Sequence, residues 1–288
     1  MPAHLSAHKA KRVQALMSGE EALMLQETRG IETDPNDPQF PLLYLDETFD
    51  KQKRVFDLST SREIHVCVDP CGQGSSNYAV ASFTRCSDKI VLVGLENKDA
   101  KQPMEHCSII VAHIKKLLAR PEFKKSVIVL AVESNYGNEA YHHEGFITVN
   151  ELTKQVCVLH DSGQVQGCGI LTSAFSKANN AYLTQYNFHN HRYGIAKEIT
   201  SVTGEPQKLL QQAYDQLAVF SKITEAPKRL GGKPTVIFTG KHVGKNDDIA
   251  MVWQMFIQSD EKFNSAIGRE RYRNYHELVE AKAAASAA

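Results

Sequence analysis

Acidic side chains stand at three points where the sequence predicts the end of a strand or the start of a helix. Asp69 follows a β-branched run and precedes a proline, and Glu133 follows a continuous apolar run. Asp247 and Asp248 directly precede an apolar stretch with helical spacing. Cleavage of a phosphodiester needs a nucleophilic water and a neutralised leaving oxygen, and two divalent ions about 3.5–4 Å apart supply both. Mg²⁺ and Mn²⁺ prefer oxygen ligands, so these acids are candidate catalytic residues and ligands for two such ions.

Each acid has a defined role in this interpretation. Asp69 bridges both ions, and Glu133 holds one of them. The pair Asp247 and Asp248 holds the other ion, with one carboxylate on the metal and one capping the helix. Ordinary structural explanations also exist, because Asp-Pro is frequent in turns, acids stabilise helix starts, and a polar residue often ends an apolar strand. The catalytic interpretation therefore requires that the three element edges meet in space.

The elements that must position the acids follow from the hydrophobic pattern. Strands are predicted at Ile64–Val68, Tyr78–Thr84, Ile90–Leu95, Ser126–Val132, Gln155–Leu159 and Pro234–Thr239. Helices are predicted at Met104–Ala119, from about Asn138 and at Ile249–Ile257, and residues 172–222 are predicted to be mostly helical with an interruption near Gly194–Thr203. The first three strands indicate an antiparallel meander, and the apolar fourth strand is typical of the buried parallel part of a sheet. This order predicts an α/β fold whose central mixed β-sheet is flanked by helices.

The two ends of the chain differ in pattern from the middle. Residues 1–57 contain a helical stretch at about Ala7–Thr28 and a turn-rich, proline-containing segment, which predicts an N-terminal helical arm or linker. Residues 263–288 end in a low-complexity run and are predicted to be a helical or low-complexity tail. Residues 58–262 are then the domain that carries the acids.

Composition limits the classes of partner. The 288 residues include 33 basic and 33 acidic side chains, so the formal net charge is zero, and binding to nucleic acid would depend on local basic patches. No apolar run is long enough to cross a membrane, and the N-terminus lacks the pattern of a signal peptide. We therefore expect an intracellular protein without a membrane partner.

Three segments resemble the acidic motifs of the nuclease domain of viral terminase large subunits, in herpesviruses and tailed phages. They are VDPCGQGSSNYAV from Val68, AVESN from Ala131 and TGKHVGKNDDIA from Thr239. The resemblance extends over about Leu58–Ile257 and is nearest to the herpesvirus branch. It implies an RNase H-like fold of the integrase superfamily and an endonuclease that cuts concatemeric viral DNA during genome packaging. The reaction implied is two-metal hydrolysis, with Mg²⁺ or Mn²⁺ and low sequence specificity.

The resemblance also implies residues and partners. Asp69, Glu133 and Asp248 correspond to the metal ligands, with Asp247 as a helper or substitute. The partners implied are double-stranded DNA, the terminase ATPase portion or small subunit, and the portal. The location implied is the host nucleus for a herpesvirus-like virus and otherwise the host cytoplasm. The chain has no G-x-x-x-x-G-K-[ST] motif, so we predict no ATPase in it.

Four basic residues are candidate DNA contacts. Lys241 and Lys245 flank the last acidic pair and would either position a phosphate or solvate a loop. Arg192 belongs to a patch of histidine, aromatic and basic residues suited to the DNA backbone. Lys177 lies in the stretch that resembles the terminase family.

Two other functions fit the same fold. A structure-selective nuclease similar to a Holliday-junction resolvase would share the fold and the acids. A non-catalytic RNase H-like module for DNA binding or assembly is favoured by the neutral net charge and by the missing ATPase motif.

Overall fold

The structure is a computed structural model that describes residues 39–54, 56–71, 76–134, 156–159, 169–225, 235–241 and 246–265. The helices are α1 Leu42–Phe49, α2 Pro103–Leu118, α3 Ala174–His189, α4 Pro206–Val219 and α5 Asp248–Asn264. The strands are β1 Glu63–Asp69, β2 Tyr78–Cys86, β3 Lys89–Lys98, β4 Val127–Val132, β5 Val156–Val158, β6 Tyr193–Thr200, β7 Ser221–Glu225 and β8 Thr235–Thr239. Within the described ranges, no helix has the length and apolar character needed to cross a membrane.

The strands form a six-stranded sheet in the order β5-β4-β1-β2-β3-β6 and a separate antiparallel pair of β7 and β8. β1, β2 and β3 are an antiparallel meander, whereas β4 runs parallel to β1 and β5 parallel to β4. The predicted mixed sheet with an antiparallel meander is confirmed. Its two central strands are β1, which ends in Asp69, and β2.

The predicted strands are confirmed with bounds that differ by at most three residues from those of the structure. The helix predicted at Met104–Ala119 is α2, and the helix predicted to end at Ile257 continues as α5 to Asn264. The helices predicted at Ala7–Thr28 and from about Asn138 lie outside the described residues.

One strand was missed. The interruption predicted near Gly194–Thr203 is present, but it is the strand β6, which pairs in parallel with β3 at the edge of the sheet. β6 includes Gly194 and Ala196, which favour strands weakly, and the exposed Lys197 and Glu198, so its own pattern is weak. Pairing with β3 and burial of Ile195 and Ala196 decide its conformation.

Side chains of β1 alternate between two apolar cores. Val68 packs in the core that contains Ile114 of α2, and Cys67 packs in the core that contains Trp253 of α5. Because successive side chains of a strand point to opposite faces, Asp69 faces the same side as Cys67. The end of β1 therefore directs Asp69 toward the side of the sheet that α5 covers.

The described part of the predicted N-terminal arm, residues 1–57, packs in the core. Phe40 and Leu45 are fully buried, and the ring of Phe40 lies 5.5 Å from that of Phe188 and 5.6 Å from that of Phe220. α1 thus contributes to the folded unit that contains the acids.

The described part of the predicted C-terminal tail is also folded. α5 continues past position 262, and Phe263 is buried against His65, with 5.7 Å between the ring centroids. The division into residues 1–57, 58–262 and 263–288 stays a prediction.

Candidate metal centre

Asp69 and Glu133 lie side by side at one edge of the sheet. β1 and β4 are parallel, with Val68 paired to Val132, and the amide of Glu133 donates a 2.9 Å hydrogen bond to the carbonyl of Val68. Neighbouring strands lie about 4.8 Å apart. The two carboxyl groups meet there, and a hydrogen bond joins them.

Asp248, the first residue of α5, joins this pair. It is 1% exposed, and its Oδ2 accepts a 2.9 Å hydrogen bond from the amide of Asn77. Asn77 directly precedes β2, and β2 places Ala79 opposite Asp69. The negative charge of Asp248 acts on Asp69 and contributes to raising its pKa. The structure thus brings Asp69, Glu133 and Asp248 together, the convergence that the sequence interpretation required.

Asp247 makes different contacts. Its Oδ2 accepts hydrogen bonds of 2.6 Å from the hydroxyl of Thr239 and 3.0 Å from the amide of Gly240. The Nζ of Lys241 lies 3.5 Å from its Oδ1. Asp247 occupies the N-cap position of α5, but its side chain makes no capping hydrogen bond, so the expected cap is wrong. Its carboxylate instead joins the end of β8 to the start of α5.

The acids are held in an electrostatically unfavourable arrangement. Burial raises the pKa of Asp69 well above its usual range, and the charges of Glu133 and Asp248 raise it further, against the opposing charge of Lys177. Burial also raises the pKa of Asp248, although the hydrogen bond from Asn77 and the charge of Lys241 lower it in part. Clustered carboxylates of this kind need a proton or a cation to relieve their repulsion.

The donor set of this cluster fits hard divalent cations. All three side chains that meet here offer carboxylate oxygens, which are the ligands that Mg²⁺ and Mn²⁺ prefer. Asp69 is partly exposed, whereas Glu133 and Asp248 are 6% and 1% exposed. An acidic cluster at the ends of strands is the kind of site at which ions and a phosphate group can meet.

Two of the predicted basic residues lie beside the acids. The Nζ of Lys177, in the second turn of α3, lies 3.5 Å from Oε1 of Glu133. Lys241 follows β8, and its Nζ lies 3.2 Å from the hydroxyl of Ser76 as well as near Asp247. Both ammonium groups border the acidic cluster and are 34% and 54% exposed, respectively, which leaves them accessible to a phosphate.

The other two predicted DNA contacts are not placed at the cluster. Arg192 follows the far end of α3, whose 16 residues span about 24 Å, and its guanidinium lies over the ring of Tyr186. Its contact with DNA stays a prediction. Lys245 lies outside the described residues.

Sequence reasoning missed three residues that contact this site. Thr172 donates a hydrogen bond from its hydroxyl to Oε1 of Glu133, and the amide of Asn77 binds Asp248. Lys101 donates from its Nζ to the carbonyl of Ser76, next to Asn77. Thr172 stands directly before the serine capping box that starts α3, which was the available signal for it. Lys101 belongs to no motif, and Asn77 lies within the segment VDPCGQGSSNYAV, where nothing in the sequence singled it out.

Solved structures share this fold. The human cytomegalovirus terminase nuclease domain, Mn soaked and inhibitor bound, aligns with a TM-score of 0.57 and 16% identity, over 81% of this chain and 98% of that domain. The Mn-soaked domain and a further structure of the same domain each align with a TM-score of 0.56, 15% identity and the same coverage. The likeness confirms the RNase H-like fold of terminase nuclease domains that the sequence predicted. No protein-family model and no curated protein matches the sequence.

Proposed function

We propose that this chain, which has the fold of the cytomegalovirus terminase nuclease domain, is the nuclease domain of a viral terminase large subunit. In this role it cleaves concatemeric viral DNA during genome packaging, with two Mg²⁺ or Mn²⁺ ions and little sequence specificity. The observation that carries the proposal is the meeting of Asp69, Glu133 and Asp248 at one sheet edge, where burial and repulsion raise the pKa of Asp69.

The carboxylates have distinct roles in this proposal. Two divalent ions bound at this edge supply a nucleophilic water and neutralise the leaving oxygen. The charges of Glu133 and Asp248 both act on Asp69, and these three carboxylates would together hold the ions. Thr172 orients Glu133, and the amide of Asn77 orients Asp248.

Asp247 acts as a positioning residue rather than as a ligand. Its carboxylate is 4% exposed and already accepts hydrogen bonds from Thr239 and Gly240. These bonds fix the connection between β8 and α5, and this connection places Asp248 opposite Asp69. These contacts of Asp247 support the proposal that Asp248 is the ligand.

DNA would be held by its phosphates. Lys177 and Lys241 border the acids from α3 and from the end of β8, and contacts of this kind orient a strand without reading bases. Lys245 would extend the basic edge beyond Lys241, and Arg192 would contact the backbone farther along α3. Phosphate contacts alone predict cleavage with low sequence specificity.

The remaining parts of the proposal concern the assembly. The ATPase portion or small subunit and the portal would be the protein partners, and the duplex would be delivered to the acidic edge by them. We propose an intracellular location, in the host nucleus for a herpesvirus-like virus and otherwise in the host cytoplasm. Residues 1–57 would connect to the motor, and residues 263–288 would form a tail after the nuclease domain.

Plasmid cleavage tests the proposal. The chain is expected to nick and linearise supercoiled DNA with Mn²⁺, and Asp69→Asn, Glu133→Gln and Asp248→Asn are each expected to lower the rate by at least about 100-fold, because each removes a ligand charge. Asp215→Asn, on the exposed face of α4, is the matched control and should cleave at the original rate.

The outcome for Asp69 decides the proposal. If Asp69→Asn is folded by circular dichroism and cleaves at the original rate, the metal centre is not here. Junction and single-stranded substrates, run beside linear duplex, separate a packaging nuclease from a resolvase-like one. A strong preference for the junction would overturn the packaging function while leaving the metal centre intact.

A further inference from the structure

A second group of possible metal ligands lies at the opposite end of β1 from Asp69. Glu63 and His65 face the same side of the strand as Asp69, because they are separated from it by even numbers of residues. Asp260, near the end of α5, meets them there. Glu63 and Asp69 are six residues apart on one strand, a distance of about 20 Å, so this group is separate from the acids at the other edge.

The imidazole of His65 is fully buried, and only one of its two nitrogens has a hydrogen-bond partner among the described residues. Its Nδ1 is 2.8 Å from the hydroxyl of Ser259. Its Nε2 is buried and has no hydrogen-bond partner among the described residues. The rings of Phe256 and Phe263 lie edge-on to the imidazole at 5.2 and 5.7 Å and fix its orientation. A buried polar atom without a partner is rare in folded proteins and calls for an explanation.

The free nitrogen is directed between two carboxylates. Nε2 lies 3.8 Å from Oε1 of Glu63 and 4.0 Å from Oδ1 of Asp260. Both distances are too long for a hydrogen bond. The three donor atoms lie within 4.8 Å of one another. Two ligands of a tetrahedral ion, each about 2.0–2.2 Å from it, lie about 3.3–3.6 Å apart, so shifts of up to about 1 Å would admit one ion.

We propose that Glu63, His65 and Asp260 bind one divalent cation of the Zn²⁺ type. The imidazole would use Nε2 as the ligand while its Nδ1–H donates to Ser259, the arrangement in which a second hydrogen bond fixes the tautomer of a ligating histidine. One nitrogen and two oxygens suit Zn²⁺, with water as the fourth ligand. This inference goes beyond the proposed nuclease and does not depend on it.

Arg85 modifies the charge of this group. Its guanidinium forms a bidentate salt bridge with Asp260, with Nε 3.1 Å from Oδ1 and Nη2 2.5 Å from Oδ2. Oδ1 also accepts a 3.0 Å hydrogen bond from Nδ2 of Asn264, so an ion bound at Oδ1 would replace that hydrogen bond while the contact with Arg85 is kept. The cation would then tie the start of β1 to the last turns of α5. The same strand and helix present Asp69 and Asp248 at their other ends.

Zinc titration of the full chain tests this site. The starting protein carries Asp69→Asn, Glu133→Gln and Asp248→Asn, so that the acids at the other edge no longer hold a metal. Calorimetry at pH 7.5 is expected to show one equivalent of Zn²⁺, and adding Glu63→Gln is expected to weaken its binding by at least about tenfold. Glu63 is partly exposed, so this variant avoids the folding risk of replacing the buried His65.

A second measurement separates this site from adventitious zinc. Zn²⁺ should raise the melting temperature of the starting protein, because it binds the folded state, and Glu63→Gln should abolish that rise. Glu198→Gln, on the exposed part of β6, is the matched control and should keep both effects. The inference is overturned if the starting protein binds no Zn²⁺, or if Glu63→Gln binds it as tightly. Neither result bears on whether Asp69 is needed for DNA cleavage.

Discussion

Glu96 and Asp69 are two carboxylates of the same sheet with opposite surroundings. Glu96 lies in β3, where hydrogen-bond donors surround it, and Asp69 ends β1, where other acids surround it. Burial alone would raise the pKa of either group. The pKa of Glu96 is lowered, whereas the pKa of Asp69 is raised. The comparison distinguishes a buried carboxylate that hydrogen-bond donors stabilise from a carboxylate that neighbouring acids destabilise.

Both carboxylate oxygens of Glu96 accept hydrogen bonds. It is fully buried and accepts hydrogen bonds from Nδ1 of His113 at 2.6 Å and from the hydroxyl of Ser201 at 3.0 Å. The amides of Val202 and Thr203 and the hydroxyl of Thr203 also donate to it. Burial works to raise its pKa, but the hydrogen bond and charge of His113 and the donors of Thr203 outweigh burial. This carboxylate fixes the turn between β6 and α4.

Ser82, His113 and Glu96 are connected by hydrogen bonds in the same order as the serine, histidine and acid of a hydrolase triad. The likeness ends there. The hydroxyl of Ser82 lies 2.8 Å from Nε2 of His113, whose Nδ1 contacts Glu96. All three side chains are fully buried between the sheet and α2, so a substrate has no access to the serine. Asp69, in contrast, is partly exposed, and burial together with the charges of Glu133 and Asp248 raises its pKa.

Loss of the Glu96 carboxylate is expected to give the largest stability effect. Glu96→Ala leaves His113 and the donors of the turn without an acceptor, and breaking a buried pair from one side costs about 3–5 kcal/mol. Urea unfolding at pH 7 measures the free energy of unfolding. Glu198→Ala, which removes an exposed acid of β6, should change it by less than about 0.5 kcal/mol. A loss of about 1 kcal/mol or less in Glu96→Ala would show that the network is not what holds this turn.

Loss of the Asp69 charge is expected to act in the opposite direction. Without divalent ions, Asp69→Asn removes repulsion with Glu133 and Asp248 and should raise the free energy of unfolding by about 0.5–2 kcal/mol. The measurement is urea unfolding in EDTA at pH 8, with Asp215→Asn as the control. A destabilised Asp69→Asn would mean that the carboxylate is structural, like Glu96.

The pH dependence of stability should separate the two acids. Because the pKa of Asp69 is raised in the folded state, the folded protein keeps its proton to higher pH than the unfolded chain. Its contribution to stability therefore falls as pH rises above the ordinary carboxyl value of about 4. Glu96 has a lowered pKa, so its contribution is present above that value and is lost as pH falls through the folded pKa.

Unfolding titrations without metal between about pH 2 and pH 8 provide the comparison. Asp69→Asn should be relatively more stable at the high end of the range, and Glu96→Gln should lose its disadvantage at the low end. Parallel curves for Asp69→Asn and the original protein would contradict the assignment of a raised pKa to this carboxyl.

Substitution of Lys241, which borders the acidic cluster, is expected to give the smallest effect. Lys241→Ala should weaken duplex binding and lower the slope of log K against log salt by about 0.9, the effect of one lost phosphate contact. Fluorescence anisotropy at several salt concentrations measures both quantities. Lys208→Ala is the matched control, because Lys208 is an exposed lysine in the first turn of α4. Equal slopes for the two variants would remove Lys241 from the DNA path.

The sequence predicted the elements whose residues repeat a pattern. The β-branched run before Pro70 and the apolar run before Glu133 are strands by composition alone, and a parallel pairing of such strands brings their ends together. The pattern could therefore predict that Asp69 and Glu133 lie near each other, which the pairing of β1 with β4 confirms. β6 could not, because its stability comes from β3 and not from its own residues.

The finer contacts of the site were beyond sequence reasoning for a related reason. The choice between Asp247 and Asp248 depends on which carboxylate faces Thr239, and a sequence contains no side-chain direction. Thr172 reaches Glu133 across 39 positions of the chain. Such long-range contacts are decided by how the elements pack.

The most direct test of the proposed metal centre is a crystal of the full chain soaked in Mn²⁺ and measured at the manganese absorption edge. Two anomalous peaks about 3.5–4 Å apart are expected. Asp69 should contact both ions, and Glu133 and Asp248 should contact one each. A well-ordered crystal with no manganese at this edge of the sheet, or with Asp69 turned away from the ions, would contradict the proposed metal centre.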